Sequence, residues 1–80
     1  MNDLDTLTLT ELQSALRAVI AGAKDPSVLA DDWMLRGIIY DNDYHVVLAQ
    51  LIGIQRERSS VDNAVRRIAR WVRTEEGFKF

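Results

Sequence analysis

Residues 44–73 read YHVVLAQLIGIQRERSSVDNAVRRIARWVR, and this stretch decides the fold. Two amphipathic patterns are joined by a short polar link. In the second, Val61, Ala64, Val65, Ile68 and Val72 recur at the i, i+3, i+4, i+7 spacing of a helix with one buried stripe. Wrapped at about 100° per residue, Arg66, Arg70 and Arg73 gather on the opposite side, with Asn63 beside them and Arg67 flanking. Ser59 or Ser60 is suited to cap its start, since a serine oxygen accepts from the free first-turn N–H groups. Asp62 suits the positive end of the helix dipole, and Arg70 and Arg73 suit the negative end. The spacing therefore predicts a last helix over 60–73, with Gly77 as its stop. The first pattern predicts a helix from Asn42 or Asp43, with Tyr44, Val47, Leu48, Leu51 and Ile52 inward. Gly53 is expected to end it in the left-handed conformation, and Ile54 to make the hydrophobic contact that accompanies such a cap.

Outward from this pair the chain is helical too. Thr8 and Glu11 have capping-box spacing, and Leu7 and Leu12 that of a hydrophobic staple. Leu9, Leu12, Leu16, Val19, Ile20 and Ala23 predict a helix over residues 9 to 23, ended by Gly22 and Asp25-Pro26. Pro26 fits the first position of the next helix, with Asp25 as its cap. Residues 26–40 read either as one helix or as a short turn followed by a helix capped at Asp31 or Asp32. Leu35, Ile38 and Ile39 form its apolar face. Gly37 points to a close helix approach or to drift. Trp33, Trp71, Tyr40 and Tyr44 are expected in or at the edge of the core. The expectation is an all-α fold: a compact orthogonal bundle of four or five short helices, with residues 1–6 frayed and 77–80 a tail. Phe78 and Phe80 in that tail fold back or serve a partner.

Composition sets limits. Eighty residues make one domain with a small core. No apolar run approaches the roughly 18 residues of a membrane span. The start MNDLDTLTLTE is acidic, unlike a secretory leader, and cytoplasmic location is the expectation. With no cysteine there is no disulfide or thiolate metal site. Net charge is −2, unevenly spread. Residues 1–43 carry three basic and eight acidic side chains, and residues 44–80 seven basic and four acidic. That asymmetry suits a surface that meets a polyanion, or two patches that meet in an oligomer.

Chemistry-bearing motifs are few. Asp41-Asn42-Asp43 suggests a calcium loop, but Val46 and Ile52 stand where such a loop needs Gly and Glu. His45 is the only histidine, so no zinc set forms around it. There is no Gly-rich phosphate loop and no nucleophile with a partner motif. An enzyme, a cofactor and a metal are not expected.

The junction of the last two patterns resembles the helix-turn-helix of bacterial and phage DNA-binding regulators. Leu48, Ala49 and Gly53, then Val61, Ala64 and Val65, carry the resemblance, which spans residues 48–68. Ala49 to Gly53 keeps the family spacing from small residue to turn glycine, whereas Gly53 to Val61 is longer than the usual tight turn, so that IQRERS at 54–59 is either an expanded turn or an extra helical turn. The resemblance implies that Ser60, Asp62, Asn63, Arg66 and Arg67 face a DNA groove, with Arg56 and Arg58 near phosphates. Arg70 and Arg73 extend the same basic side. Arg pairs with guanine and Asn with adenine in the major groove, and Arg–phosphate contacts add affinity. The implied protein is a small regulator of phage or mobile-element type, its last helix (60–73) in the major groove, acting as a homodimer with the N-terminal helix or the FKF tail at the subunit interface. An ordinary amphipathic helix with a solvated arginine face fits the same residues. A second reading is a small acidic protein-interaction module that docks through Asp31, Asp32, Asp41 and Asp43. It compares in size and charge with antitoxins and phage inhibitors of host defence.

Overall fold

The computed structural model describes residues 6–75. Among them the fold is all-α, with α1 at Leu9–Ile20, α2 at Pro26–Leu35, α3 at Tyr44–Glu57 and α4 at Val61–Ile68. A 3-10 turn, Asp41–Asp43, leads into α3. No strand occurs among the described residues, and no helix there is long and apolar enough to cross a membrane. The expectations for residues 1–5, Gly77 and the Phe78–Phe80 tail lie outside the described residues. Thr6, expected to fray, is half-buried.

The helix starts follow local chemistry. The Thr8 hydroxyl accepts from the Glu11 N–H at 3.1 Å, and the Glu11 carboxylate accepts from the Thr8 N–H at 2.9 Å. This is the capping box, and Leu7 and Leu12 on either side of it are both buried. Asp25 caps α2 ahead of Pro26, accepting from the Ser27 N–H at 2.9 Å. Those bonds to Ser27 hold the Asp25 carboxyl below its usual 3.8. Of the two candidate serines, Ser60 caps α4, accepting from the Asn63 N–H at 3.2 Å.

Three helices end in the same way. Beyond α1, Ala23 N–H donates to Ala18 O and Gly22 N–H to Val19 O. Beyond α2, Ile38 N–H donates to Trp33 O and Gly37 N–H to Met34 O. Beyond α3, Ser59 N–H donates to Ile54 O and Arg58 N–H to Gln55 O. Each pair is the six-to-one and five-to-two bonding of a Schellman cap, which needs one left-handed residue. Gly22 at φ +79° and Gly37 at φ +76° supply it for α1 and α2. For α3 the residue is Arg58, at φ 53° and ψ 48°. Gly37 is thus a helix stop rather than a close-approach site.

Several expected boundaries move. α3 runs through Gly53, because Ile54 continues the buried stripe of Val47 and Leu51 and is itself 0% exposed. α1 stops at Ile20, leaving Ala23 exposed. Residues 26–35 are a single helix whose inner side is Pro26, Leu29, Ala30 and Trp33. Leu35 therefore points outward and is 82% exposed, while Ile38 and Ile39 are buried in the turn that follows. α4 ends at Ile68, because the next residues leave the helix for distant partners. Arg73 N–H donates to Ile38 O at 2.8 Å, Leu7 N–H to Arg73 O at 3.1 Å, and Glu75 N–H to Leu7 O at 3.0 Å. The segment after α4 is so fastened between the entry to α1 and the turn after α2, burying Val72.

The core gathers Leu12, Leu16, Val19, Trp33, Val47, Leu51, Ile54 and Ile68, with α2 packed on α3 and α1 on both α3 and α4. Ile20, Leu48, Tyr44 and Trp71 pack against it half-buried. Tyr40 does not join them and is 63% exposed.

Candidate nucleic-acid interface

The link between α3 and α4 is three residues, Arg58 to Ser60. Of the two readings of residues 54–59, the extra helical turn holds: α3 continues past Gly53 to Glu57. Ser60 caps α4 and lies exposed with Asp62, Asn63 and Arg66. Arg66 and Asp62 border a cleft shared with Leu9, Gln13 and Val65. Arg58 is exposed at the tip of the turn, and Arg56 is exposed on the last turn of α3.

Two other candidate arginines, Arg67 and Arg73, are engaged within the fold. Arg67 Nε donates to Gln50 Oε1 at 3.1 Å, and its Nη1 donates to Glu57 Oε1 at 3.0 Å. Gly53 makes room for it: a Cβ there would lie 2.9 Å from Arg67 Nη2. Arg73 Nε donates to the Gly37 carbonyl at 3.3 Å, and its Nη2 to the Tyr40 hydroxyl at 3.2 Å. Its guanidinium also sits 5.4 Å from the Tyr40 ring centroid, within cation–π range. Arg70 lies 5.4 Å from the centroid of Trp71. Because α4 ends at Ile68, Arg70 and Arg73 are not on its face, and the expected continuous stripe of Arg66, Arg70 and Arg73 does not form. Of the expected DNA set, Arg56, Arg58, Ser60, Asn63 and Arg66 are exposed along the end of α3, the turn and α4. Arg67 and Arg73 serve as internal clamps.

The acidic candidates separate into two groups. Asp31 and Asp32 lie on the outer side of α2 and are both exposed. Asp31 accepts from the Tyr44 hydroxyl, which raises that phenol above its usual 10.0. Asp32 pairs with Arg36 at 3.2 Å. Asp41 and Asp43 sit in the 3-10 turn before α3. No cluster of three metal-ligating side chains occurs among the described residues.

Sequence reasoning missed the left-handed Arg58 and the Gly53–Arg67 contact. The first had a signal, since Ile54 falls three residues after Leu51 and carries the apolar stripe past Gly53. The second had none, because it joins two helices across the fold. No protein-family model matches the chain, and neither a curated protein nor a solved structure matches it.

Proposed function

We propose that this protein binds DNA through the α3–turn–α4 unit, as a small regulator of the phage or mobile-element type. α4 enters the major groove with Ser60, Asn63 and Arg66, and Arg58 at the turn meets phosphate. The observation that carries the reading is the conformation of Arg58. Two of the three Schellman caps among the described residues use glycine, and the third holds an arginine left-handed at φ 53°. That conformation costs an L-residue roughly 1–2 kcal/mol. An exposed arginine kept under strain, where glycine would relieve it, is best accounted for by what its side chain contacts. Glu57 opposes phosphate less than its charge suggests, because Arg67 pairs with it.

A mobility shift with random-sequence and genomic duplexes tests the reading at two salt concentrations. Wild type should shift DNA at low salt, and Arg58→Glu with Arg66→Glu should not, while circular dichroism stays helical. Removing one phosphate contact should flatten the salt dependence by about one unit of slope. No wild-type shift at low salt would sink the proposal.

One observation favours docking to another protein instead. Val28, Asp31, Asp32 and Leu35 share the outer side of α2, with Val28 55% and Leu35 82% exposed. Paired apolar and acidic residues on one exposed face suit a partner with a basic rim. Under that reading, reversing Asp31 and Asp32 abolishes function and reversing Arg58 and Arg66 spares it.

A further inference from the structure

Apart from Gly53, which lies under Arg67 of α4, the outer face of α3 is explained by neither the core nor the turn. At about 100° per residue, His45, Val46, Ala49, Ile52, Gly53 and Arg56 fall opposite the buried Val47, Leu51 and Ile54. Val46 is 41% and Ile52 39% exposed, large for apolar side chains on a polar surface. Ala49 leaves the middle of the face shallow, the Arg67 guanidinium lies over Gly53 beside it, and a depression there is bordered by Ala49, Ile52, Gly53, Arg56 and Glu57. The two ends differ in charge. Asp41 and Asp43 stand at the start and Arg56 near the end, and none of them makes an ion pair among the described residues.

We propose that α3 pairs with the α3 of a second copy of this chain, antiparallel about a two-fold axis at Ala49. That operation sets Ile52 against the second copy's Val46. Arg56 falls opposite the second copy's Asn42, between its two aspartates. Both apolar residues and both charged ends are matched twice, as a self-complementary interface requires. A parallel pair would bring like charges together, and a partner of one charge would match one end only. Ala49 at the axis lets the helix axes approach to about 8–10 Å. The N-terminal helix is a poorer interface, since Leu12, Leu16 and Val19 are spent on the core and Thr10, Glu11, Ser14 and Arg17 face outward.

Pairing of this kind does not depend on DNA binding, and it assigns Arg56 to the dimer rather than to phosphate. A face one helix wide falls at the low end of interface sizes, below the standard of about 800 Å² per partner, where complexes are weak and transient.

Sedimentation velocity on the full chain from about 10 µM to about 1 mM, without DNA, covers the range of such weak association. Wild type should pass from monomer to dimer. Arg56→Glu alone should raise Kd at least about tenfold, and so should Asp41→Lys with Asp43→Lys, because each homodimer sets like charges together. An equimolar mixture of the two variants should dimerise again, since each copy then meets the opposite charge. The chain has no cysteine, so Ala49→Cys gives a clean second readout. Its oxidation should yield disulfide dimer faster than oxidation of Val28→Cys on α2. A wild-type monomer at the highest concentration would overturn the proposal. So would a mixture no more dimeric than its components, or equal cross-linking at the two cysteines.

Discussion

Replacing Arg58 with glycine separates stability from function. Arg58 is the left-handed residue of the α3 cap, and the bonds there are made by backbone N–H groups that glycine retains. Relief of the left-handed penalty is worth roughly 1–2 kcal/mol. Glycine gives back roughly 0.5–1 kcal/mol by loosening the unfolded chain. The net expectation is a gain of about 0.5–1 kcal/mol, or a Tm higher by about 2–8 °C in a domain of this size. Arg58→Ala keeps the strain, so its Tm should not rise. Both variants lack the same guanidinium, and both should bind DNA roughly five- to tenfold more weakly at about 0.1 M salt if that group meets one phosphate. The assays are thermal melting by circular dichroism and fluorescence anisotropy with a labelled duplex. A lower Tm for Arg58→Gly would refute the strain at the cap. Undiminished DNA affinity in both variants would refute the role given to the turn.

Other expectations rest on single contacts. Leu16→Ala should destabilise by about 2–5 kcal/mol through the transfer energy forgone and a residual cavity, because Leu16 is 0% exposed. Little change in the denaturant midpoint would show that the α1 face is misassigned. Gly53→Ala should change stability by less than about 1 kcal/mol, since the helix propensity gained offsets displacement of the Arg67 guanidinium. In an Arg67→Ala background the same change should give the full gain of about 1 kcal/mol, and equal effects in both backgrounds would dismiss the contact. Asp25 is held low by Ser27, so its contribution is present above its unfolded value of 3.8 and is lost as pH falls through the lower native value. Acid titration of Asp25→Asn should therefore show a smaller loss of stability in that window than wild type. Tyr44 has the opposite sign: its contribution holds below 10.0 and fades as pH rises through the higher native value. Asp31→Asn should move the Tyr44 absorbance transition down.

What was legible in the sequence was local. The Thr8–Glu11 box, the Asp25-Pro26 start and the Ser60 cap need only neighbouring residues, and all three stand where spacing puts them. What failed depended on distant partners. Val72 keeps helical register with Ile68 and is buried, yet the chain there has left the helix to bond Ile38 and Leu7. Leu35 has helical spacing to Ile38 and Ile39, but Trp33 takes the inner position and Gly37 ends the helix first. Gly53 reads as a stop because glycine usually is one; here it clears space for an arginine from α4. For the same reason the arginines look alike in sequence, while Gln50, Glu57, Gly37 and Tyr40 divide clamps from free side chains.

Whether the turn and the start of α4 meet DNA is answered most directly by amide chemical-shift mapping, titrating the isotope-labelled chain with a short duplex at low salt. Shifts should concentrate at Arg58, Ser60, Asn63 and Arg66 and fade as salt is raised, with Val28 to Leu35 on α2 unmoved. An unchanged spectrum, or shifts confined to α2, would contradict DNA binding at the turn.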